Sequence, residues 1–277
     1  MIISIPDTLT ADSSERYTMS IRLWPGGLSF SGYISSNDGS FFYREVSFDR
    51  GVPYVSSLKE CFFANECLSW RYKQLRIVSF SPHYLVVPTT LFPSDAETQL
   101  AWIRKTFVRP KSACLSESLL DKRATLLYDC EETVQAFCLR SFQNPLFTHY
   151  LVPLLAYWHM QSRDALYRCM YIWIEGERMD VACFEQERLL LVNTFEVHQP
   201  EEMLYYFLYV WRQMDFNSQV DALRIQAMPT LRITLLEQAR HYLRNVQGTT
   251  LPSELYLLGE EVVKAPLDLI ALLVCES

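Results

Sequence analysis

Hydrophobic and polar positions alternate from residue 17 to residue 24. Tyr17, Met19, Ile21 and Leu23 fall on one side and Thr18, Ser20 and Arg22 on the other, the signature of a half-buried strand. Pro25-Gly26-Gly27 makes a turn, alternation resumes from Leu28 to Ile34, and Asn37-Asp38-Gly39 supplies a second turn before Phe41 to Phe48. Three consecutive antiparallel strands follow. Ser57-Leu58-Lys59-Glu60 has capping-box spacing and predicts a helix that buries Leu58, Cys61, Phe62 and Leu68. Two short apolar runs, Ile77 to Phe80 and Tyr84 to Val87, flank Ser81-Pro82-His83. A second capping box, Ser94 to Glu97, predicts a helix with Ala96, Leu100, Ile103 and Phe107 on one side. A strand near Ala124 to Tyr128, a helix from Glu131 to Phe142, a strand at Phe147 to Leu151 and a helix through Leu154, Leu155 and Trp158 complete this half.

From residue 166 the first pattern returns. Leu166 to Ile174, Arg178 to Phe184 and Leu189 to Phe195 read as three strands joined by Glu175-Gly176-Glu177 and Glu185-Gln186-Glu187 turns. Pro200 opens a helix with Glu201 and Glu202 in its first turn and Leu204, Phe207, Leu208 and Trp211 along one face. A strand at Ala222 to Ala227 and a helix through Leu231, Leu235, Ala239 and Tyr242 follow. The order strand, strand, strand, helix, strand, helix thus occurs at residues 17 to 107 and again at 166 to 244, without residue identity between the copies. A meander followed by alternating helix and strand predicts an α/β chain with mixed sheets and helices packed on them. The expected domains are 1–162, with a small insertion, and 163–277, separated near Gln161 to Ala165, with a ligand cleft between them.

Composition removes several activities. Only 8 of 277 residues are Gly, against about 19 at average usage, so glycine-lined ligand loops are scarce. A net charge of -7 repels a phosphate backbone and disfavours nucleic acid as a partner. The basic stretch Arg104, Lys105, Arg109 and Lys111 fits a helix C-terminus, where cations meet the dipole favourably. The 8 Cys contain no C-x-x-C pair and read as buried small side chains in a reducing compartment. With no secretory pattern at Met1 to Pro6, a cytoplasmic location is expected. The apolar segments 151–158 and 267–274 are too short to span a bilayer, which needs about 20 residues.

Neither G-x-x-x-x-G-K-[ST] nor G-x-G-x-x-G occurs. Gly27-Leu28-Ser29-Phe30-Ser31 lacks the last glycine of a nucleophile elbow and lies inside an alternating strand. His83, His149, His159, His198 and His241 share no metal-ligand spacing, and a structural role is expected for them. Of these, His149 and His159 flank one strand-helix step without a carboxylate or Cys to complete a ligand set, and His83 follows Pro82 in an exposed turn. Glu131-Glu132 and Glu201-Glu202 sit in helix first turns, where the dipole accounts for them.

The doubled order resembles the actin-like ATPase fold, in which two ribonuclease H-like domains each begin with a three-stranded meander. The segments Leu269 to Glu276 and Phe147 to Tyr150 also resemble an uncharacterised bacterial family with that fold. The resemblance implies a phosphate cradle in the first hairpin of each domain, with an Asp that positions hydrated magnesium. Here those turns are Leu23-Trp24-Pro25-Gly26-Gly27 and Ile174-Glu175-Gly176-Glu177-Arg178. The first has no Asp and loses an N–H at Pro25, and the second sets two carboxylates toward the phosphates. The adenosine turn, which carries paired glycines in the fold, reads Ala227-Met228-Pro229-Thr230. A nuclease would need acids at the ends of the first and fourth strands, where Trp24 and Ser79-Phe80 stand.

The expectation is therefore a non-catalytic interaction protein with no cofactor, a degenerate actin-like fold that binds a protein or peptide. Homo-oligomers are compatible with it. Tyr205, Tyr209 and Arg212, at i, i+4 and i+7 on an aromatic-rich helix, are the candidate interface residues. The alternative is a divergent ATPase or small-molecule kinase that uses Mg-ATP at Gly26, Gly27 and Gly176.

Overall fold

The computed structural model describes residues 2–35, 37–120, 122–249 and 252–276. The chain divides into two compact units, one of Met1–Leu154 with Pro252–Ser277 and one of Leu155–Leu251.

In the first unit, β1 (Thr18–Trp24), β2 (Gly27–Tyr33) and β3 (Phe42–Ser47) form the antiparallel meander. Helix α1 (Tyr54–Ala64) leads to β4 (Gln74–Ser79), which runs parallel to β1. An excursion follows through β5 (Tyr84–Pro88), α2 (Ala96–Thr106), β6 (Ala113–Leu119) and β7 (Ala124–Cys130), which build a separate sheet in the order β5-β7-β6. Helix α3 (Glu132–Ser141) and β8 (Leu146–His149) then return to the main sheet, whose order is β3-β2-β1-β4-β8. One face of that sheet, with Met19, Ile21, Leu28, Phe30 and Ile77, packs on Leu58, Cys61 and Phe62 of α1 and on Phe137 and Cys138 of α3. These positions alternate along their strands because successive side chains point to opposite faces.

In the second unit, α4 (Leu151–Ser162), which begins in the first unit, precedes the meander β9 (Cys169–Glu175), β10 (Arg178–Glu185) and β11 (Arg188–Glu196). Then come α5 (Pro200–Gln213), β12 (Ala222–Gln226), α6 (Pro229–Ala239) and β13 (Asn245–Gly248), in the sheet order β11-β10-β9-β12-β13. The two main sheets share one topology: three antiparallel strands, then two that run parallel to the first. That is the ribonuclease H-like arrangement, present twice.

Several expectations need correction. Helix α1 starts at Tyr54, so Ser57 is buried inside it rather than capping it, and Pro53 holds the cap position. The N-cap of α2 is Asp95, whose carboxylate accepts the Thr98 N–H at 2.7 Å, instead of Ser94. Helix α2 belongs to the inserted sheet, so the crossover from β4 to its parallel neighbour runs through α3. Strand β13 has four residues, too few to show a period.

The tail after Pro252 joins the first unit, although the sequence pattern assigns it to the second domain. It runs along β3 and the segment just before it. The Gly39 and Phe41 N–H groups donate to the Leu257 and Leu258 carbonyls at 2.9 and 3.0 Å. The Glu261 carboxylate accepts the Tyr43 N–H at 3.1 Å and Arg44 at 2.7 Å. The tail thereby covers a sheet edge that would otherwise present open backbone. It ends in α7 (Leu267–Glu276), where buried Asp268 pairs with buried Arg22 of β1.

Candidate binding site

The glycines of the β1–β2 turn are explained by packing. The Trp24 indole folds over the turn so that a Cβ on Gly26 would run into its ring, and a Cβ on Gly27 would run into the Val46 carbonyl oxygen. The Gly26 carbonyl accepts the Phe48 N–H at 2.8 Å and the Gly27 carbonyl accepts the Tyr54 hydroxyl at 2.9 Å. With Pro25 lacking an N–H, the turn is occupied by its own protein groups.

The β9–β10 turn differs. Gly176 has φ +59° and open space where a Cβ would stand, but its neighbours are acidic. Glu175 pairs with Arg178 at 3.3 Å and Glu177 lies 3.5 Å from His198 Nδ1. Arg178 also holds buried Asp180 at 2.8 Å and lies over the Trp173 ring, 4.7 Å from its centroid. Asp180 further accepts the Thr194 hydroxyl at 2.6 Å. The one cation of this turn is thus committed to carboxylates. Pro229 opens α6 directly after exposed Met228, with no glycine between them and β12. These three turns do not fit the phosphate and adenosine cradle of a magnesium nucleotide.

Where that cradle would lie in the first unit, the ends of β1 and β4 instead open on a cavity of about 490 Å³. Leu23, Trp24, Tyr54, Val55, Phe80 and Phe147 supply its apolar wall. The inserted sheet and α3 supply its polar side, through Lys111, Asp129, Glu131 and Gln135. Asp129 is buried, and three donors converge on it. It accepts the Ser81 hydroxyl, the Lys111 N–H at 2.8 Å and His83 Nδ1 at 2.8 Å. The His83 ring stacks on Phe107 with centroids 4.8 Å apart.

Such a carboxylate–imidazole pair holds a proton in a fixed place, and it does not activate the two neighbouring side chains that could act as nucleophiles. Ser81 donates its proton to Asp129 rather than to the imidazole, and burial pushes the Cys130 thiol up to about 12, so it stays protonated at neutral pH. Buried His149 has Nε2 at 2.9 Å from the Ser81 carbonyl and its ring against those of Tyr128 and Tyr150. His159 packs beside Phe184. Ser29 and Ser31 are buried within β2, as the elbow argument requires. Among the described residues, no group of three His, Cys, Asp or Glu side chains is placed to hold a metal ion. No helix there is long and apolar enough to cross a membrane.

A small insertion was expected, but Asp129 and the pairing of β5, β6 and β7 into one sheet are the part of this site that sequence reasoning missed. The available signal was a lone acid inside the apolar run Leu126-Leu127-Tyr128-Asp129-Cys130, a position where a carboxylate needs partners.

Tyr205, Tyr209 and Arg212 lie on the exposed side of α5, in the second unit. Tyr205 is 64% and Tyr209 50% exposed, with their rings stacked at 6.2 Å, while Met203, Phe207, Val210 and Trp211 are buried. Arg212 is exposed as well.

The sequence matches, over residues 6–246, the family described as "Protein of unknown function (DUF3822)". The chain belongs to the DUF3822 family. No curated protein matches this DUF3822 chain. Among solved structures it is similar to a Bacteroides thetaiotaomicron VPI-5482 protein with an actin-like ATPase fold and unknown function. The identity is 27% and the TM-score 0.81, over 98% of this chain and 100% of that one. It is also similar to a chain of the PilM-PilN type IV pilus biogenesis complex, at 11% identity and TM-score 0.55, over 94% of this chain and 98% of that one. The DUF3822 chain therefore has the actin-like ATPase fold, built from two ribonuclease H-like domains.

Proposed function

We propose that this DUF3822 protein is a non-catalytic binding protein whose first unit takes an apolar anchor of a protein or peptide partner into the cavity beside Trp24. The observation that carries this reading is the exchange at the ends of β1 and β4. Apolar walls from Leu23, Trp24, Tyr54, Phe80 and Phe147 stand where a nucleotide-binding member of the fold needs backbone N–H donors and a magnesium-positioning acid. An aliphatic or aromatic side chain entering the cavity removes apolar surface from water, worth about 25 cal/mol per Å². Polar groups at the rim, Lys111 and Glu131, are positioned to meet the flanking backbone or charges of such a segment.

Peptides selected from a random displayed library against the full chain test this. They should share an apolar anchor, and their affinity should fall about tenfold or more in Val55→Glu, which places a charge in the cavity wall. Unchanged affinity in that variant would overturn the reading. So would saturable magnesium-dependent ATP binding with matching thermal stabilisation.

A second reading, a divergent ATPase or small-molecule kinase using Mg-ATP, has one observation in its favour: the open backbone at Gly176. Titration calorimetry with Mg-ATP and Mg-ADP separates the two, and binding lost in Gly176→Val would favour the second.

A further inference from the structure

We infer that the second unit carries a separate binding site for a small oxyanion, a phosphate or carboxylate group, centred on Arg224. Parallel pairing of β12 with β9 and β13 sets Tyr171, Arg224 and Gln247 side by side in one row across the sheet. The neighbours Leu223, Ile225 and Val246 point into the core on the opposite face, so this row faces away from α5 and α6. Beyond the last turn of α4 the row lines a pocket of about 250 Å³, together with Gln161, Tyr167, Cys169 and Thr249. It is distinct from the turn at Gly176 and from the turn between β12 and α6, none of whose residues line it.

The pocket holds a cation and, among the described residues, no Asp or Glu in its lining. Arg224 is half-buried, and among the described residues its guanidinium hydrogen-bonds only to neutral oxygens at long range: the Leu223 carbonyl at 3.3 Å, Asn245 Oδ1 at 3.3 Å and the Tyr167 hydroxyl at 3.5 Å. Asp221, the acid whose charge reaches Cys169, does not line the pocket, and its two oxygens are aimed at the backbone N–H groups of Arg168 at 3.0 Å and Asn217 at 2.6 Å rather than at Arg224. The last turn of α4 contributes only the partial charge of its carbonyl end.

A guanidinium drawn out of water with no anion beside it is costly, and its planar fork of N–H donors matches the oxygens of a carboxylate or phosphate. The surrounding wall is made of neutral groups that donate hydrogen bonds: the Gln161 and Gln247 amides and the Tyr167 and Thr249 hydroxyls. The volume of about 250 Å³ accommodates the anionic group with a small body attached.

The test is thermal unfolding and titration calorimetry of the full chain with inorganic phosphate and, separately, acetate, against sodium chloride at matched ionic strength. Saturable stabilisation by one of the two oxyanions is expected, and the arm that gives it identifies the chemistry. Arg224→Gln should weaken that binding about tenfold or more, and Arg224→Lys should keep part of it. Should Arg224→Gln fail to fold, Ala165→Phe serves, since it fills the pocket from its rim and leaves Arg224 in place. Lost binding in a folded Ala165→Phe protein supports the site. The inference is overturned if neither oxyanion stabilises the protein beyond chloride, or if a folded variant responds as the parent does.

Discussion

Arg22 Nε lies 2.6 Å from Asp268 Oδ2, with both side chains buried and 246 positions between them in sequence. The pair ties the C-terminal helix to the central strand of the first sheet, and the Arg22 guanidinium also lies 5.1 Å from the Phe80 ring centroid. Asp268→Ala should destabilise the first unit by about 3–5 kcal/mol, because it leaves a buried guanidinium without its anion. The double variant Arg22→Met with Asp268→Leu should recover most of that loss. Urea unfolding of the single and double variants reads the difference, and equal losses in both would remove the ion pair from the account.

The two turn glycines should respond differently to one added methyl group. At Gly27 a Cβ meets the backbone carbonyl of Val46, which cannot move without β3, so Gly27→Ala should cost about 3 kcal/mol. At Gly176 there is open space but φ is +59°, so Gly176→Ala should cost only about 1 kcal/mol of backbone strain. Chemical denaturation measures both, and a reversed order would mean that the β1–β2 turn is looser than its packing implies.

Buried thiols set an alkaline limit on stability. Burial pushes Cys67 up to about 11 and Cys130, Cys138 and Cys183 up to about 12, from an ordinary value of 9.0. Below pH 9.0 these thiols are protonated in both states. Above it the unfolded chain ionises first and gains, so stability should fall between about pH 9 and 12. Tyr54, Tyr72, Tyr128 and Tyr171, raised by burial as well, act in the same direction at higher pH. Unfolding curves from pH 7 to 11 check the slope, which should lessen in Cys138→Ala with Cys183→Ala.

Helix α5 separates folding from recognition along a single element. Phe207 is fully buried, and Phe207→Ala should cost about 3–5 kcal/mol. Tyr205→Ala and Tyr209→Ala remove exposed rings and should change stability by only about 0.5 kcal/mol. Unfolding midpoints test this, and a large loss at either tyrosine would assign it to packing instead of an available surface.

Much of the fold was legible because strand and helix periods are local. Alternation at Thr18 to Trp24 is enforced by the pleat, and Pro200 with Glu201 and Glu202 announces α5 as an N1 proline followed by first-turn acids. The candidate site was legible only in part. Trp24 and the missing turn acid were visible, whereas the alliance of Ser81, His83, Lys111 and Asp129 joins residues whose spacing along the chain has no period.

The sequence by itself determined the α/β class, the duplicated meander and the poverty of the nucleotide turns, since each follows from neighbours along the chain. Only the tertiary structure decided that α2 serves the inserted sheet and that the tail returns to cover β3. It alone decided that Asp129 faces the Trp24 cavity and that Arg224 shares a pocket with Tyr167, Gln161 and Gln247. Those outcomes depend on which unpaired edge or buried charge finds its partner across long stretches of chain, and loop closure makes distance in sequence a weak constraint on that choice.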